Sequence, residues 1–265
     1  MSVMLETDRL TRRYRDLTAV NNLTISMEAG ELFGLLGPNG AGKTTVLKML
    51  TTLLPPSAGS ARVAGHDVVR QAAAVRQEIG YVPQFVSADG ALTGYENALI
   101  SAKLHDVPRA QCDSRAREAL NFVGLSDSAD RMVRDYSGGM IRRLEIAQSL
   151  LHRPRVLFLD EPTVGLDPLA RRAVWEFIAN LRDELGTTIL ITTHSMDEAE
   201  ALCDRVAIMN KGAVAVEGTP DELKESLGRS DATLTDVFAQ YAGDPETRGT
   251  LRETIRKRRV ARRLA

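Results

Sequence analysis

Leu32-Phe-Gly-Leu-Leu36, followed by Gly37-Pro-Asn-Gly-Ala-Gly-Lys-Thr44, is the stretch of sequence that decides the fold. The first run is short and mostly apolar, as in a buried strand, and the amphipathic run Thr45 to Leu54 after the loop predicts a helix. A GxxxxGK[ST] loop between a strand and a helix is typical of phosphate binding. The sequence therefore predicts an α/β domain that binds a nucleotide.

The residues of this loop suit an anionic ligand. Glycines at 37, 40 and 42 allow the backbone to curl so that successive N–H groups point inward, and the helix N-terminus adds partial positive charge. Lys43 is predicted to bridge the β- and γ-phosphates, and Thr44 to ligate Mg²⁺. We expect ATP and Mg²⁺ as cofactors and the whole loop as their site: Gly37, Pro38, Asn39, Gly40, Ala41, Gly42, Lys43, Thr44 and Thr45.

A second apolar run, Val156-Leu-Phe-Leu, ends in the two carboxylates Asp160 and Glu161. Successive side chains of a strand point to opposite faces, so the two carboxylates can serve different roles. We expect Asp160 to face the metal and Glu161 to be the catalytic base that polarises the attacking water. Taken alone, this pattern is more often a strand with a solvated end, and the phosphate-binding loop is what favours catalysis.

The order of the elements predicts the architecture. Short apolar runs, such as Thr188 to Ile191, alternate with amphipathic runs, as in parallel strands joined by helices. Antiparallel pieces are expected near Leu23 to Met27 and between Val206 to Met209 and Ala213 to Val216. Residues 92–153 have a mostly helical pattern. The predicted fold class is α/β, with a P-loop NTPase (RecA-like) core of mainly parallel sheet, an antiparallel β subdomain and an inserted α-helical subdomain.

Two helices have clear terminal signals. The helix Leu169 to Leu185 can be capped by Asp167 and ended by Gly186, and its core face is predicted to comprise Leu169, Phe177, Leu181 and Leu185. Ser195 with Glu198 forms a predicted capping box for a later helix.

Composition narrows the function classes. The chain has 265 residues, enough for one large domain with a small appendage, and its net charge of −1 gives no reason to expect a nucleic-acid partner. Cys112 and Cys203 are far apart and suggest neither a disulfide framework nor a zinc site, which fits a reducing cytosol. We find no leader and no transmembrane stretch, so a membrane role would require a partner.

Four segments together resemble a known family. The segments GPNGAGKTT at 37–45, YSGGM at 136–140, VLFLDEPTVGLD at 156–167 and TTHSMDEAE at 192–200 occur in the order and spacing of an ABC-transporter ATP-binding subunit. The resemblance covers roughly residues 3–240. The segment SGGMIRRLEIAQSLLHRPRVLFLDEPTVGLDP is similar to the daunorubicin-resistance-like branch of ABC-2 type exporters. Tyr136 and Met140 depart from the commonest signature, LSGGQ, but leave the Ser-Gly-Gly unchanged.

The resemblance implies roles for further residues. Ser137, Gly138 and Gly139 would cap the γ-phosphate held by the other cassette of a head-to-tail homodimer, although a plain helix N-cap is the alternative. Gln84 would touch Mg²⁺ or the water and report the γ-phosphate to the membrane subunit. The resemblance also assigns a γ-phosphate contact and catalytic positioning to His194. It assigns communication across the dimer to Asp167. Tyr14 would stack on adenine, with core packing as the alternative.

Such a cassette has four known uses, and the sequence favours one of them. Chromosome-maintenance members carry long coiled coils between loop and signature, whereas Lys43 to Ser137 spans only about 94 positions without heptads. Translation-factor members carry two cassettes, but the sequence has no second GxxxxGK[ST]. The prediction is therefore an ATPase motor for a separate ABC-2 type permease, cytoplasmic and peripheral on the inner face of the membrane. A regulatory or assembly ATPase is the alternative.

The predicted domains are a cassette over residues 1–228, with its helical subdomain at about 92–153, and a C-terminal extension over 229–265. Arg248 to Arg263 carries eight basic side chains against the single acidic Glu253. This tail is expected to be a solvated helix, or else to contact anionic lipid or the permease.

Overall fold

A computed structural model describes residues 2–242, apart from the side chain of Leu185. Its larger sheet contains six strands in the order β11-β10-β4-β9-β8-β7. The strands of this sheet are β4 (Leu32–Leu36), β7 (Ile79–Val82), β8 (Val156–Asp160), β9 (Thr188–Thr193), β10 (Arg205–Asn210) and β11 (Ala213–Gly218). All neighbours are parallel except β11, which pairs antiparallel with β10. The predicted strands and the predicted C-terminal hairpin are confirmed.

The strand order places the chemistry at one edge of this sheet. β4, β9, β8 and β7 are consecutive neighbours, and all of them run in the same direction. Their carboxyl ends therefore lie side by side, which is where open α/β sheets bind ligands. The segments that follow these ends carry the loop 37–44, His194, Glu161 and Gln84.

A smaller antiparallel sheet covers one side of the molecule, in the order β2-β1-β5-β6 with β3 also paired to β1. Its strands are β1 (Val3–Tyr14), β2 (Leu17–Leu23), β3 (Ser26–Glu28), β5 (Ala58–Val63) and β6 (His66–Asp67). The expected antiparallel piece Leu23 to Met27 is divided in the structure, because β2 ends at Leu23 and β3 begins at Ser26.

Alternate side chains of the larger sheet face two different cores. On β4, Leu32 and Leu36 join one buried cluster, whereas Phe33 and Leu35 join the other. Burial on both faces explains why these strands are continuously apolar rather than alternating.

The helices are α1 (Lys43–Leu50), α2 (Ala72–Glu78), α3 (Gly94–Leu104), α4 (Cys112–Phe122), α5 (Gly138–Leu150), α6 (Pro168–Leu185), α7 (Met196–Leu202), α8 (Pro220–Glu225) and α9 (Leu234–Tyr241). α3, α4 and α5 pack together between β7 and β8 in the chain, and α5 also reaches β7 and α6. α9 packs on α7 and α8 and buries Leu234 and Val237. The subdomain limits near 92 and 153 and the boundary at 228 stay predictions.

The expected core face of α6 is wrong at its first residue. Asp167 caps the helix and Gly186 ends it with a φ of 62°, as predicted, and Phe177 and Leu181 are buried. Leu169, however, is 81% exposed. The first turn of α6 lies at the surface, and Val174 is the first residue of this helix that is buried, among the side chains that the structure describes.

Three further features bear on the predictions. Cys112 and Cys203 are buried free thiols. No helix within residues 2–242 has the length and apolar character needed to cross a membrane. The basic tail Arg248 to Arg263 lies outside the described residues.

Candidate active site

The loop between β4 and α1 wraps its backbone around the side chain of Lys43. Lys43 Nζ donates to the carbonyl oxygens of Gly37 at 2.8 Å and Pro38 at 3.3 Å. Gly42 has a φ of 105°, and a Cβ added there would lie 2.4 Å from the carbonyl oxygen of Ala19 on β2. Only glycine combines this backbone conformation with such a close approach.

Asp160 is the last residue of β8, and one of its carboxylate oxygens accepts hydrogen bonds from two hydroxyl groups. Its Oδ1 accepts from Thr192 Oγ1 at 2.6 Å and from Thr44 Oγ1 at 3.2 Å. The first contact follows from the sheet register, because Asp160 and Thr192 are partners on the parallel strands β8 and β9. Asp160 is only 1% exposed. The burial of neighbouring Tyr81, together with the negative charge of Asp160, raises the pKa of Tyr81 to about 12.

The oxygens of Thr44 and Asp160 fit a magnesium ion. Mg²⁺ prefers oxygen ligands in an octahedron with bonds of 2.0–2.1 Å, so adjacent ligands are about 3.0 Å apart. Thr44 Oγ1 and Asp160 Oδ1 are 3.2 Å apart, which suits neighbouring positions.

Glu161 is the residue on which the candidate active site converges. Its Oε1 lies 3.2 Å from Lys43 Nζ, its Oε2 accepts from Gln84 Nε2 at 3.2 Å, and His194 Nδ1 lies 3.3 Å from Oε2. Glu161 is 7% exposed, whereas the His194 side chain is half exposed. One carboxylate is therefore held by side chains from three other segments.

The backbone at Glu161 is held in an uncommon conformation. Its φ is 46°, in the left-handed region that a non-glycine residue seldom adopts. Its N–H donates to both the carbonyl oxygen and Oγ1 of Thr192, at 3.1 and 3.0 Å. Thr192 therefore contacts both acidic residues. No sequence motif singles out Thr192, whose one signal is its place at the end of a predicted strand.

The Ser-Gly-Gly segment lies apart from this cluster within one chain. Ser137 is exposed and caps α5, with its Oγ accepting from the N–H of Met140 at 3.3 Å. Gly139 packs closely against α6, since a Cβ added there would lie 3.0 Å from Ala170 Cβ. Gly138 lies similarly near Leu166, which places Asp167 beside this segment.

Tyr14 also lies apart from the Glu161 cluster. The residue is 41% exposed at the end of β1, and the guanidinium carbon of Arg12 lies 4.7 Å from the centroid of its ring. Among the residues that the structure describes, no hydrogen bond, ion pair or ring contact joins Tyr14, Ser137 or Asp167 to Glu161 or to residues 37–45.

Comparison with known proteins identifies the family. The family model described as ABC transporter matches residues 20–164. The chain belongs to the ABC transporter family. It is 47% identical over 242 residues to the daunorubicin/doxorubicin resistance ATP-binding protein DrrA of Streptomyces peucetius, covering 91% of this chain and 73% of that protein. It is 43% identical over 247 residues to the Nod factor export ATP-binding protein I of Burkholderia lata, covering 90% and 81%.

A solved structure of an ATP-binding subunit of an ABC transporter has the same fold. The TM-score is 0.79 at 28% identity, and the match covers 90% of this chain and 99% of that one. The predicted fold class and the suspected branch of the ABC transporter family are confirmed. This chain is an ATP-binding and ATP-hydrolysing motor subunit of a transporter, and ABC ATP-binding proteins dimerise and work with transmembrane permeases.

Proposed function

We propose that this ABC transporter chain drives export through a separate ABC-2 type permease, as a homodimer held on the cytoplasmic, inner face of the cell membrane by that permease. The observation that carries the proposal is the convergence of Lys43, Gln84 and His194 on the carboxylate of Glu161. The carboxylate of the base Glu161 thus contacts both the phosphate-binding ammonium of Lys43 and the reporter amide of Gln84. This arrangement suits ATP hydrolysis that is coupled to movement. The relatives named for drug resistance and for Nod factor export support the outward direction.

The positions of the side chains support the proposed binding roles. The loop 37–45 holds the phosphates of ATP through its N–H groups and Lys43, and the exposed ring of Tyr14 stacks on adenine. Thr44, Asp160 and Gln84 hold Mg²⁺, which neutralises phosphate charge when bound. Gln84 donates to Glu161 through Nε2, so this contact does not occupy its amide oxygen.

The catalytic roles depend on the ion pair between Lys43 and Glu161. The phosphates of ATP offer Lys43 several anionic oxygens that compete with the single carboxylate of Glu161, so bound ATP draws the ammonium away. The freed carboxylate then accepts the proton of the attacking water, and His194 positions that water from the exposed side. Burial of Glu161 strengthens these interactions because little solvent competes.

The signature acts on the partner cassette. Ser137 and the N-terminus of α5 are exposed in one chain, and a serine hydroxyl at a helix N-terminus offers donors to an anion. In the homodimer, Ser137, Gly138 and Gly139 of one chain cover the γ-phosphate bound by the other. Asp167, beside this segment, carries communication across the same interface.

The surface beside Gln84 suits a protein partner. Phe85 and Val86 follow it directly, and they are 82% and 63% exposed. A groove of about 900 Å³ borders this region, lined in part by Ser87, Leu104 and Glu145. Large exposed apolar side chains next to a groove are typical of an interaction site, and we assign this one to the permease.

Co-expression with the candidate permease tests this assignment. The wild-type chain should sediment with membranes only when the permease is present, and Phe85→Asp should abolish this sedimentation with membranes while leaving ATP binding intact. Val3→Asp is the matched control, because Val3 is also an exposed apolar residue but lies on β1. Membrane association without any permease, or an ATPase rate that is the same with and without the permease, would favour the regulatory or assembly ATPase.

A further inference from the structure

Two buried charged residues of α5 hold the segment that carries Gln84. Arg142 is 6% exposed and donates from Nη1 to the carbonyl oxygen of Pro83 at 2.8 Å, and from Nη2 to that of Gln84 at 3.1 Å. Both contacts are to the backbone. Arg142 therefore fixes the chain on either side of Gln84 without occupying its side chain.

Glu145 holds the other end of the same segment. It is 3% exposed, and its Oε1 accepts from both the N–H and the Oγ of Ser87. Its Oε2 lies 3.1 Å from Arg142 Nη1, so the two charges also pair one helical turn apart. Together they form a clamp, here meaning Arg142 and Glu145 with their contacts to residues 83–87.

The clamp joins two parts of the site that are far apart in sequence. α5 begins directly after Ser137, and the clamped segment presents Gln84, whose Nε2 contacts Glu161 at 3.2 Å. A helix that moves when its N-terminus meets a phosphate would carry the backbone of Gln84 with it. The charges suit this task better than they suit stability, because a buried ion pair is often no more stabilising than apolar residues of similar volume.

We infer that Arg142 and Glu145 are positioning residues that set the place of Gln84 relative to Glu161 and pass the movement of α5 to residues 83–87. The inference rests on the role proposed above for Gln84. Neither residue touches nucleotide in this scheme, so both act through Gln84 alone.

The test removes both charges together. Removing one partner would leave a buried charge unpaired and could unfold the chain, whereas Arg142→Met with Glu145→Leu replaces the pair by apolar side chains. The matched control is Arg117→Met with Asp113→Leu, which removes a pair that also lies 3.1 Å apart on the helical region but is more than 60% exposed. Both double variants are made in the full-length chain.

The first readout is backbone amide exchange of residues 84–88. In the wild type the N–H of Ser87 is bonded to Glu145, so the clamp variant should exchange faster there, while the amides of β8 and the control variant should not change. Unchanged protection of residues 84–88 in a folded clamp variant would refute the clamp. This readout needs no ATPase activity, so it remains decisive even if the wild type proves inactive and the proposed function fails.

The second readout is steady-state ATPase activity. The clamp variant should have a higher activation free energy for hydrolysis, which lowers kcat by roughly 2- to 30-fold. The KM for ATP should stay unchanged because the phosphate-binding loop is intact. Gln84→Ala should then cost less in the clamp variant than in the wild type, since Gln84 is already misplaced. Normal kcat, or an equal cost of Gln84→Ala in both backgrounds, would overturn the positioning role while leaving Glu161 as base.

Arg142→Lys provides a second route if the double variant does not fold. A lysine keeps the charge beside Glu145 but cannot bridge two carbonyl oxygens with a planar fork. It should reproduce part of the loss in kcat and part of the faster exchange. Wild-type values for both would count against the inference.

Discussion

Replacing Glu161 by Gln tests the centre of the site. The substitution keeps volume, but an amide cannot accept the proton of water. Loss of a general base should slow hydrolysis by roughly 10²–10⁴, or about 3–5 kcal/mol of barrier. The contacts make the change more than local, because Lys43, Gln84 and His194 all lie within 3.3 Å of the lost carboxylate oxygens.

The structure also predicts the sign of the effect on binding. Glu161 and Lys43 are 3.2 Å apart and both almost fully buried. Their direct attraction is about 5 kcal/mol at an effective dielectric constant of about 20, before the opposing cost of desolvation. ATP must disrupt this pair in the wild type but not in the variant. Glu161→Gln should therefore bind ATP as tightly as the wild type or more tightly.

Equilibrium binding and steady-state ATPase assays on the purified chain with Mg²⁺ separate the two effects. The variant should bind ATP, hydrolyse it very slowly and accumulate as a dimer on a sizing column. Glu118→Gln is the control, since Glu118 is a well-exposed carboxylate on α4. Turnover within threefold of wild type by a folded variant, or clearly weaker binding, would refute the reasoning.

Three further predictions use other contacts of the site. Ser137→Arg should spare ATP binding but prevent ATP-driven dimerisation and collapse hydrolysis, because bulk and charge then occupy the exposed end of α5; normal dimers on a sizing column would return this residue to a plain helix cap. Thr192→Val should lower kcat by roughly 10–100-fold, as for lost outer-shell partners, because the hydroxyl that Asp160 accepts from is removed; unchanged kcat would contradict it. Gly42→Ala should lower the melting temperature far more than Gly40→Ala, because a Cβ at 42 meets a carbonyl oxygen at 2.4 Å whereas one at 40 meets nothing within 4 Å; equal shifts in thermal unfolding would show that the close approach is relaxed.

Local sequence patterns were enough to predict much of the fold and of the site. The loop 37–44 and the pair Asp160-Glu161 are each contiguous, and each needs only a strand before it. Their meeting follows from parallel strands whose carboxyl ends share one edge. The contacts between Lys43, Glu161 and His194 were thus foreseeable as a neighbourhood, although their roles in turnover stay predictions.

Contacts between side chains were harder to foresee, because they depend on which elements become neighbours. Ser195 does accept from the N–H of Glu198, as the expected capping box requires. The carboxylate of Glu198, however, accepts from Thr163 and Trp175 and does not return to the cap. Competition from partners distant in sequence, invisible to a four-residue pattern, decided where that side chain points.

The clamp on α5 illustrates the same limit. In the sequence, Arg142 and Glu145 are a helical i,i+3 charge pair, which would ordinarily lie on a solvated face. They are buried because α5 packs on β7, the strand that leads into Gln84, as well as on α3, α4 and α6. The meaning of the pair therefore depends on tertiary structure.

In the proposed mechanism, the ion pair between Lys43 and Glu161 restrains the catalytic base until ATP binds. Lys43 Nζ lies 3.2 Å from Glu161 Oε1, so the ammonium holds that carboxylate oxygen in an ion pair. In the proposed mechanism phosphates take over Lys43, so the same event that fills the site also frees the carboxylate of Glu161 to accept the proton of water. The restraint depends on burial, since solvent would screen an exposed pair, and both side chains are less than 9% exposed. Tight ATP binding by Glu161→Gln is the consequence that would support this order of events, and weakened binding would exclude it.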